Sequence, residues 1–338
     1  MLGAKDFGID LGTDYIRIYM PGSAIITEPN VVLYHSGTQA IAAIGSRAEK
    51  LLSLDSEKYM QLFIKENGVL DYTTARETLG YIVRHYQPFS FLLHPDLLMA
   101  IPHGSSVIER KAIRDLCVQA GFNEKGLYFI DELLAAAIGA GQPVLEPVGS
   151  MVINIGGGNT QAGVFSLGGL VCSGSLHNGG RELSRQIMEY VRKQYGIMID
   201  ISTAERAKMR IGSLLPQDME IDQVTLNGRN MQTGMPDAAV VTTEEMREAI
   251  NPVVTEIVDC IYQVLEQTPP DLAADLIENG VTATGGAVQM HGLIELIEER
   301  THLKINLAKH TSDAVIRGVQ KVMQDPSAWN GVFSDLLQ

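Results

Sequence analysis

The chain has 338 residues, of which 45% are hydrophobic and 20% charged, and its formal net charge is −14. That composition is of a globular protein with room for two domains, and it excludes a disordered chain. The acidic balance excludes a broad nucleic-acid surface and electrostatic attraction to anionic lipid, so any membrane contact has to be mostly apolar.

Three cysteines, Cys117, Cys172 and Cys260, are widely spaced and lack metal-binding spacing. They read as thiols in a reducing compartment. The N-terminus runs straight into a strand and leaves no room for a signal peptide, and no apolar run reaches transmembrane length. The expected location is the cytoplasm.

In chain order, Phe7 to Met20 reads as a β-hairpin and Val31 to Tyr34 as a further strand. Residues 36–70 are more polar, with a strand at Ile41 to Ile44 and a short helix at Ser46 to Leu54. Helical spacing of Leu79, Ile82 and Val83 places a helix over Thr73 to Tyr86. The segment Pro88 to Pro95 is bracketed by prolines and reads as a loop or strand edge. Leu97 to Ile101 is a buried strand. Ser106 and Glu109 form a capping box that opens a helix with Val107, Ile108, Ile113, Leu116 and Cys117 on one face, closed by Gly121. Leu127 to Ile130 is the next strand, with Glu132 at its C-terminal end, where α/β sheets place ligands.

The second half opens with the strand Met151 to Ile155, three glycines, and a strand from Gln161 to Leu167 ending at the turn Gly168-Gly169. Glu182 to Tyr195 is helical, and Ser202 with Glu205 caps a helix from Thr203 to Ile211. Strands at Met219 to Val224 and Ala238 to Val241 flank an expected turn at Asn227-Gly228. Thr242 and Glu245 form another capping box, and Pro252 starts or kinks a long helix with Ile257, Ile261, Val264 and Leu265 inward. Short helices follow at Asp271 to Glu278, His291 to Arg300 and Asp313 to Met323. The alternation predicts mixed sheets flanked by helices.

Gly156-Gly157-Gly158 between two strands is either a bulged turn or a tip where bare backbone meets an anion such as phosphate. Phe7 to Thr13 repeats the layout, with Asp10 in register with Asn154, which suggests two halves of like fold lending a phosphate loop each to one cleft. A third glycine pair, Gly285-Gly286, ends the buried strand Val281 to Thr284.

This order of motifs, Asp10-Leu11-Gly12-Thr13, then Gly156 to Thr160, then Thr284-Gly285-Gly286-Ala287, resembles the actin, sugar-kinase and heat-shock-chaperone ATPase superfamily. Within it the chain is most similar to the MreB family of bacterial actins, over nearly its whole length. Asp131 to Gly141, Ser166 to Gly169 and Thr268 to Asp275 are MreB-like beyond what the superfamily shares. The resemblance implies an actin-like α/β ATPase fold of two lobes, residues 1–145 and 146–338, each on a ribonuclease-H-like mixed sheet. Small subdomains are expected near 36–70 and 182–250. It implies ATP with Mg²⁺ in the cleft, filaments of the protein itself or with MreB paralogues, and a peripheral place at the inner membrane face, organising cell-wall synthesis.

Residue by residue, the resemblance assigns Asp10 to the metal's water shell, Gly12 and Thr13 to the first phosphate loop, and Gly156, Gly157, Gly158 and Asn159 to the second. The alternative for Asp10 is a residue capping its own turn. Asp14 and Tyr15 stand where the family has a small residue and an asparagine, and an acid there would repel phosphate. Glu132 matches the water-positioning glutamate, or else is a solvated helix start. Gly179, Gly180, Gly285, Gly286 and Ala287 match backbone turns lining the nucleoside. Arg181 and Ser184 stand where the family is acidic. Glu205 and Lys208 match nucleoside contacts or form a surface ion pair. Asn154 and Gln161 replace an aspartate and a glutamate, and an amide has no charge to attract Mg²⁺ and cannot take a proton from water. Slow hydrolysis with retained binding is therefore expected. The alternatives are a nucleotide-bound scaffold paralogue and, further off, a small-molecule kinase. Phe89, Phe91 and Leu92 match a membrane-dipping loop of some MreB proteins or form a buried strand edge.

Overall fold

The structure is a computed structural model that describes residues 6–35, 41–54, 59–62, 65–66, 69–87, 94–215 and 222–329. The first half carries β1 (Phe7–Leu11), β2 (Tyr15–Tyr19), β3 (Ile26–Pro29), β4 (Val32–His35), β5 (Ile41–Ile44), α1 (Gly45–Leu54), β6 (Tyr59–Leu62), β7 (Lys65–Glu66), β8 (Val69–Leu70), α2 (Tyr72–Tyr86), β9 (Leu97–Ile101), α3 (Val107–Ala120), β10 (Leu127–Asp131) and α4 (Glu132–Ala140). The second carries β11 (Ser150–Ile155), β12 (Thr160–Ser166), β13 (Gly169–Leu176), α5 (Gly180–Tyr195), β14 (Ile197–Met198), α6 (Ile201–Ile211), β15 (Gln223–Asn230), β16 (Pro236–Thr242), α7 (Thr243–Gln267), α8 (Pro270–Asn279), β17 (Val281–Thr284), α9 (Leu293–Thr301), β18 (Ile305–Leu307) and α10 (Ala314–Gln324).

The duplication read from the glycine motifs is present strand for strand. One five-stranded sheet has the order β10-β9-β1-β2-β3 and the other β18-β17-β11-β12-β13. In each, the central strand runs parallel to one neighbour and antiparallel to the other. Asp10 pairs with Arg17 across the first hairpin, and Asn154 pairs with Gln161 at the same step of the second. Smaller sheets, β5-β4-β6 and β14-β15-β16, lie within residues 36–70 and their flank, and within 182–250.

A small apolar cluster lies at β4, β5 and α1, and three large ones hold the two five-stranded sheets and their helices. One joins the first sheet to α2 and α3, and another joins the second sheet to α5, α7 and α9. The third lies between the halves, where α4 packs on β11, β12 and β17 of the second sheet and α10 packs on β1, β2 and β9 of the first. Each half thus contributes a helix to the other's sheet. The two helices cross at backbone distance: a Cβ on Gly139 would fall 1.8 Å from the Ala314 carbonyl oxygen, and one on Gly318 would fall 1.9 Å from that of Ala135.

Several local expectations are corrected. Val107 and Ile108 are 79% and 81% exposed, because the first turn of α3 stands clear of the sheet and burial begins at Ile113. Asn227-Gly228 is not a turn; it lies inside β15, where Gly228 admits the Met198 carbonyl of β14. The reversal comes at residues 231–235, with Asn230 accepting from the Gln232 and Thr233 amides and Gly234 at φ 72°. Asp200, not Ser202, caps α6, accepting from the Thr203 amide at 2.7 Å. The turn after β12 is Leu167-Gly168, both left-handed, and Gly169 already belongs to β13. The capping boxes at Ser106 and Thr242 are present, and Pro252 lies inside an unbroken α7.

A second link between the halves is polar. His103 follows β9; its Nδ1 lies 2.7 Å from Asp131 Oδ2 and its Nε2 lies 2.8 Å from Ser173 Oγ on β13. The hydrogen bond to Asp131 raises the His103 pKa above its ordinary value; burial opposes this, and the charges of Asp131 and Glu132 add to it. A raised folded-state pKa gives stability that is fully present below the unfolded value of about 6.5 and is lost as pH rises through the folded value. Thermal melts of His103→Gln against the parent protein should therefore show a wider gap near pH 6 than near pH 9; a gap that widens with pH contradicts this assignment. At the helix crossing, Gly139→Ala tests the backbone contact. Alanine in a helix normally gains up to about 1 kcal/mol over glycine, whereas overpacking here should cost about 1–3 kcal/mol. Urea unfolding of the variant should show a net loss of stability.

Candidate functional site

The two hairpin tips face each other across a cleft of about 630 Å³. Into it project Asp10, Gly12, Thr13, Asp14 and Tyr15 from the first hairpin, and Asn154, Gly156, Gly157, Gly158 and Asn159 from the second. Glu132 lines it from the start of α4, Gly180 from α5, Glu205 and Lys208 from α6, and Gly285, Gly286 and Ala287 from the end of β17. Gly179 stands just behind the lining as the N-cap of α5; a Cβ there would sit 2.5 Å from the Gly156 carbonyl oxygen. Phe89, Phe91 and Leu92 lie outside the described residues.

The first loop is pinned from both sides. The Gly12 amide donates to the Tyr15 carbonyl at 3.0 Å, and Gly12 needs its bare backbone because a Cβ would meet that oxygen at 2.7 Å. Asn30, fully buried, donates from Nδ2 to the Thr13 carbonyl at 2.8 Å, and its own amide donates to the Asp14 carbonyl at 2.8 Å. The second loop is closed by the Gly156 amide on the Asn159 carbonyl at 2.8 Å. It is then braced by α5, whose Gly180 and Arg181 amides donate to the Gly156 and Gly157 carbonyls at 2.9 and 2.8 Å. Gly285, at φ 94°, adopts a backbone conformation that side chains avoid, and a Cβ there would fall 2.1 Å from the Ile155 carbonyl oxygen. Of the two readings of Glu205 and Lys208, the ion pair is present. Lys208 Nζ lies 2.8 Å from Glu205 Oε2 as an ion pair, and it also donates to the Gly180 carbonyl at 2.6 Å beside the cleft.

The electrostatics depart from a carboxylate-rich phosphate site. Asp10 is buried, and its Oδ2 lies 3.6 Å from Arg17 Nη1; Arg17 Nε in turn lies 3.1 Å from Asp313 Oδ1. Asn154 is buried and accepts from Thr284 Oγ1 at 3.2 Å. Gln161, its cross-strand partner, is buried with both amide atoms unpaired. No group of three His, Cys, Asp or Glu side chains among the described residues is placed to hold a metal ion. Asp10 is the carboxylate at the position that the resemblance assigns to the metal's water shell, and it is shared with a guanidinium. Mg²⁺ commonly takes one or two carboxylates and completes its shell with water and phosphate.

Arg17 and Asp313 escaped the sequence reading. Arg17 had a signal, since a cation seven residues after Asp10 across a four-residue turn falls opposite it on the neighbouring strand. Asp313 had none, because only the return of α10 to the first sheet brings it there.

The family model for MreB/Mbl protein matches residues 4–330. The chain is 36% identical over 328 residues to the cell shape-determining protein MreB of Escherichia coli K12, covering 95% of this chain and 94% of that one. It is 32% identical over 317 residues to the cell shape-determining protein Mbl of Bacillus subtilis 168, covering 93% and 94%. Among solved structures it resembles MreB5 of Spiroplasma citri bound to ADP, with a TM-score of 0.86 and 28% identity over 96% of this chain and 97% of that one. The same protein bound to AMPPNP superposes equally well, with a TM-score of 0.86. The MamK double helical filament shares the fold at a TM-score of 0.76 and 17% identity, covering 94% of this chain and 98% of that one. With its duplicated sheets, facing glycine hairpins and match over nearly the whole chain, this protein is a member of the MreB/Mbl family and has the actin-like fold.

Proposed function

We propose that this protein is a nucleotide-binding subunit of an actin-like filament that organises cell shape and wall synthesis at the inner face of the membrane. The observation that carries the reading is the cleft itself, where two glycine hairpins of equivalent topology face one another. Similar proteins support it: relatives are named for determining cell shape, a similar MreB binds ADP and AMPPNP, and MamK forms a filament. ATP or ADP would lie with its phosphates between Gly12-Thr13 and Gly156 to Asn159, and its nucleoside between Glu205, Lys208, Gly180 and Gly285 to Ala287. In this reading the lobes are 1–145 and 146–338, and the small sheets near 36–70 and 182–250 meet the neighbouring subunit. A head-to-tail contact that does not close on itself gives an open polymer. Co-assembly with MreB paralogues, contact with wall-synthesis proteins, and membrane contact through Phe89, Phe91 and Leu92 extend the same reading.

Turnover should be slow. Asn154 has no charge and its carbonyl oxygen accepts from Thr284, so it cannot take a proton from an attacking water. Glu132 is the carboxylate left to position that water. This favours a nucleotide-bound scaffold with weak hydrolysis over a fast ATPase. General base assistance is worth typically ~10²–10⁴-fold in rate, so Asn154→Asp should raise phosphate release by at least ~10-fold, while Glu132→Gln should abolish what the parent releases. An unchanged rate in Asn154→Asp would remove the slow-turnover claim.

Assembly has its own test. Sedimentation of the full chain across a range of concentrations, with ADP or with AMPPNP and with or without liposomes, should pellet it as polymer. A protein that stays monomeric in every condition would count against the filament reading.

A further inference from the structure

Asp14 and Arg181 look like separate oddities in the sequence, an acid in one phosphate loop and a base after the other. In the structure they are partners. Arg181 Nε donates to Asp14 Oδ1 at 2.7 Å, across the cleft and between residues 167 positions apart. The other carboxylate oxygen lies so close to the second loop that a Cβ on Gly157 would fall 2.0 Å from it. The Arg181 amide holds that loop from behind through the Gly157 carbonyl. A carboxylate thus lies between the two glycine hairpins, fixed at one oxygen by a guanidinium and pressed at the other against bare backbone.

In the nucleotide reading, that position faces the phosphate end of the ligand. A phosphate chain clasped by both hairpins has to run between them, and its last anionic group meets whatever already stands there. Asp14 presents negative charge and bulk together. A ligand with one phosphate fewer can leave the ion pair standing; a longer one has to push the carboxylate aside and part it from Arg181. The pair is partly in solvent, with the Asp14 side chain 43% and that of Arg181 20% exposed, so it can be displaced at modest cost.

We propose that Asp14 and Arg181 form a selectivity gate at the phosphate end of the cleft, through which this protein favours a nucleoside diphosphate over a nucleoside triphosphate. The inference rests on the nucleotide reading above and adds to it which nucleotide state the resting protein holds. The two residues pull in opposite directions. Asp14 opposes the terminal phosphate, whereas Arg181 restrains Asp14 and, once parted from it, offers the phosphate a charge-assisted donor.

Opposite signs separate a gate from a simple clamp between the lobes. The full chain is held below its polymerisation concentration, and bound fluorescent methylanthraniloyl-ADP is displaced with ADP or with AMPPNP, which removes hydrolysis from the comparison. The parent protein should favour ADP by about tenfold, equivalent to about 1.4 kcal/mol. Asp14→Ala should tighten AMPPNP more than ADP and bring the two ligands within about twofold; Asp14→Asn, which keeps the bulk, should do so in part. Arg181→Ala leaves the carboxylate unrestrained and should weaken AMPPNP further, widening the preference beyond about thirtyfold. Equal affinities in the parent protein, or a preference that shifts the same way in Asp14→Ala and Arg181→Ala, would overturn the gate and leave the nucleotide reading intact. Binding of neither ligand to the parent or to any variant would overturn both.

Discussion

Everything at the cleft depends on the close crossing of α4 and α10. The helix α4 reaches from the first sheet onto the second, α10 packs back on the first, and the two meet where Gly139 and Gly318 let backbone touch backbone. Side chains at those positions would force the axes apart and carry the sheets with them. The glycine hairpins at the ends of β1 and β11 are rigidly part of those sheets, so their spacing, and hence the width of the cleft between them, is set by this contact. His103 adds a polar tie between the same halves, from the end of β9 to β13.

The parts of this arrangement that are local in sequence were legible in it. Both hairpins, the strands that flank them and the capping boxes at Ser106 and Thr242 rest on turn chemistry and short-range alternation, and they stand where the residues put them. Even the equivalence of Asp10 and Asn154 could be counted off the two motifs. What failed did so for tertiary reasons. Asn227-Gly228 has the composition of a hairpin turn, yet the glycine is needed for the close approach of β14, and the chain turns later with Asn230 and Gly234. Val107 and Ile108 have helical spacing with Ile113 but lie beyond the edge of the sheet that buries it.

The charges of the site show the same division more sharply. Read singly, Asp14 is an acid in a phosphate loop, Arg181 a base where an acid is usual, and Arg17 an ordinary strand residue. In space they are paired, Arg17 with both Asp10 across its hairpin and Asp313, and Asp14 with Arg181 across the cleft. A substitution that looks unfavourable by itself is balanced by another far away in the chain. The cleft residues assigned by resemblance, Gly179 apart, line one cavity, but its electrostatic character comes from partners that no motif names.

The exchange of helices also shapes how the chain comes to be folded. The face of the first sheet carrying Gly8, Leu98 and Ala100 is covered by Val319, Met323 and their neighbours on α10, nearly the last described element. Contacts of such long sequence separation close slowly. During synthesis the first sheet is complete once β10 has emerged, yet it has to wait for α10, which takes roughly 10–40 s at about 5–20 residues per second. Over that interval an apolar sheet face stands open on the nascent chain. The N-terminal half is therefore the part most exposed to misassociation on the ribosome, and a chain truncated before Ala314 would leave that half permanently without its cover.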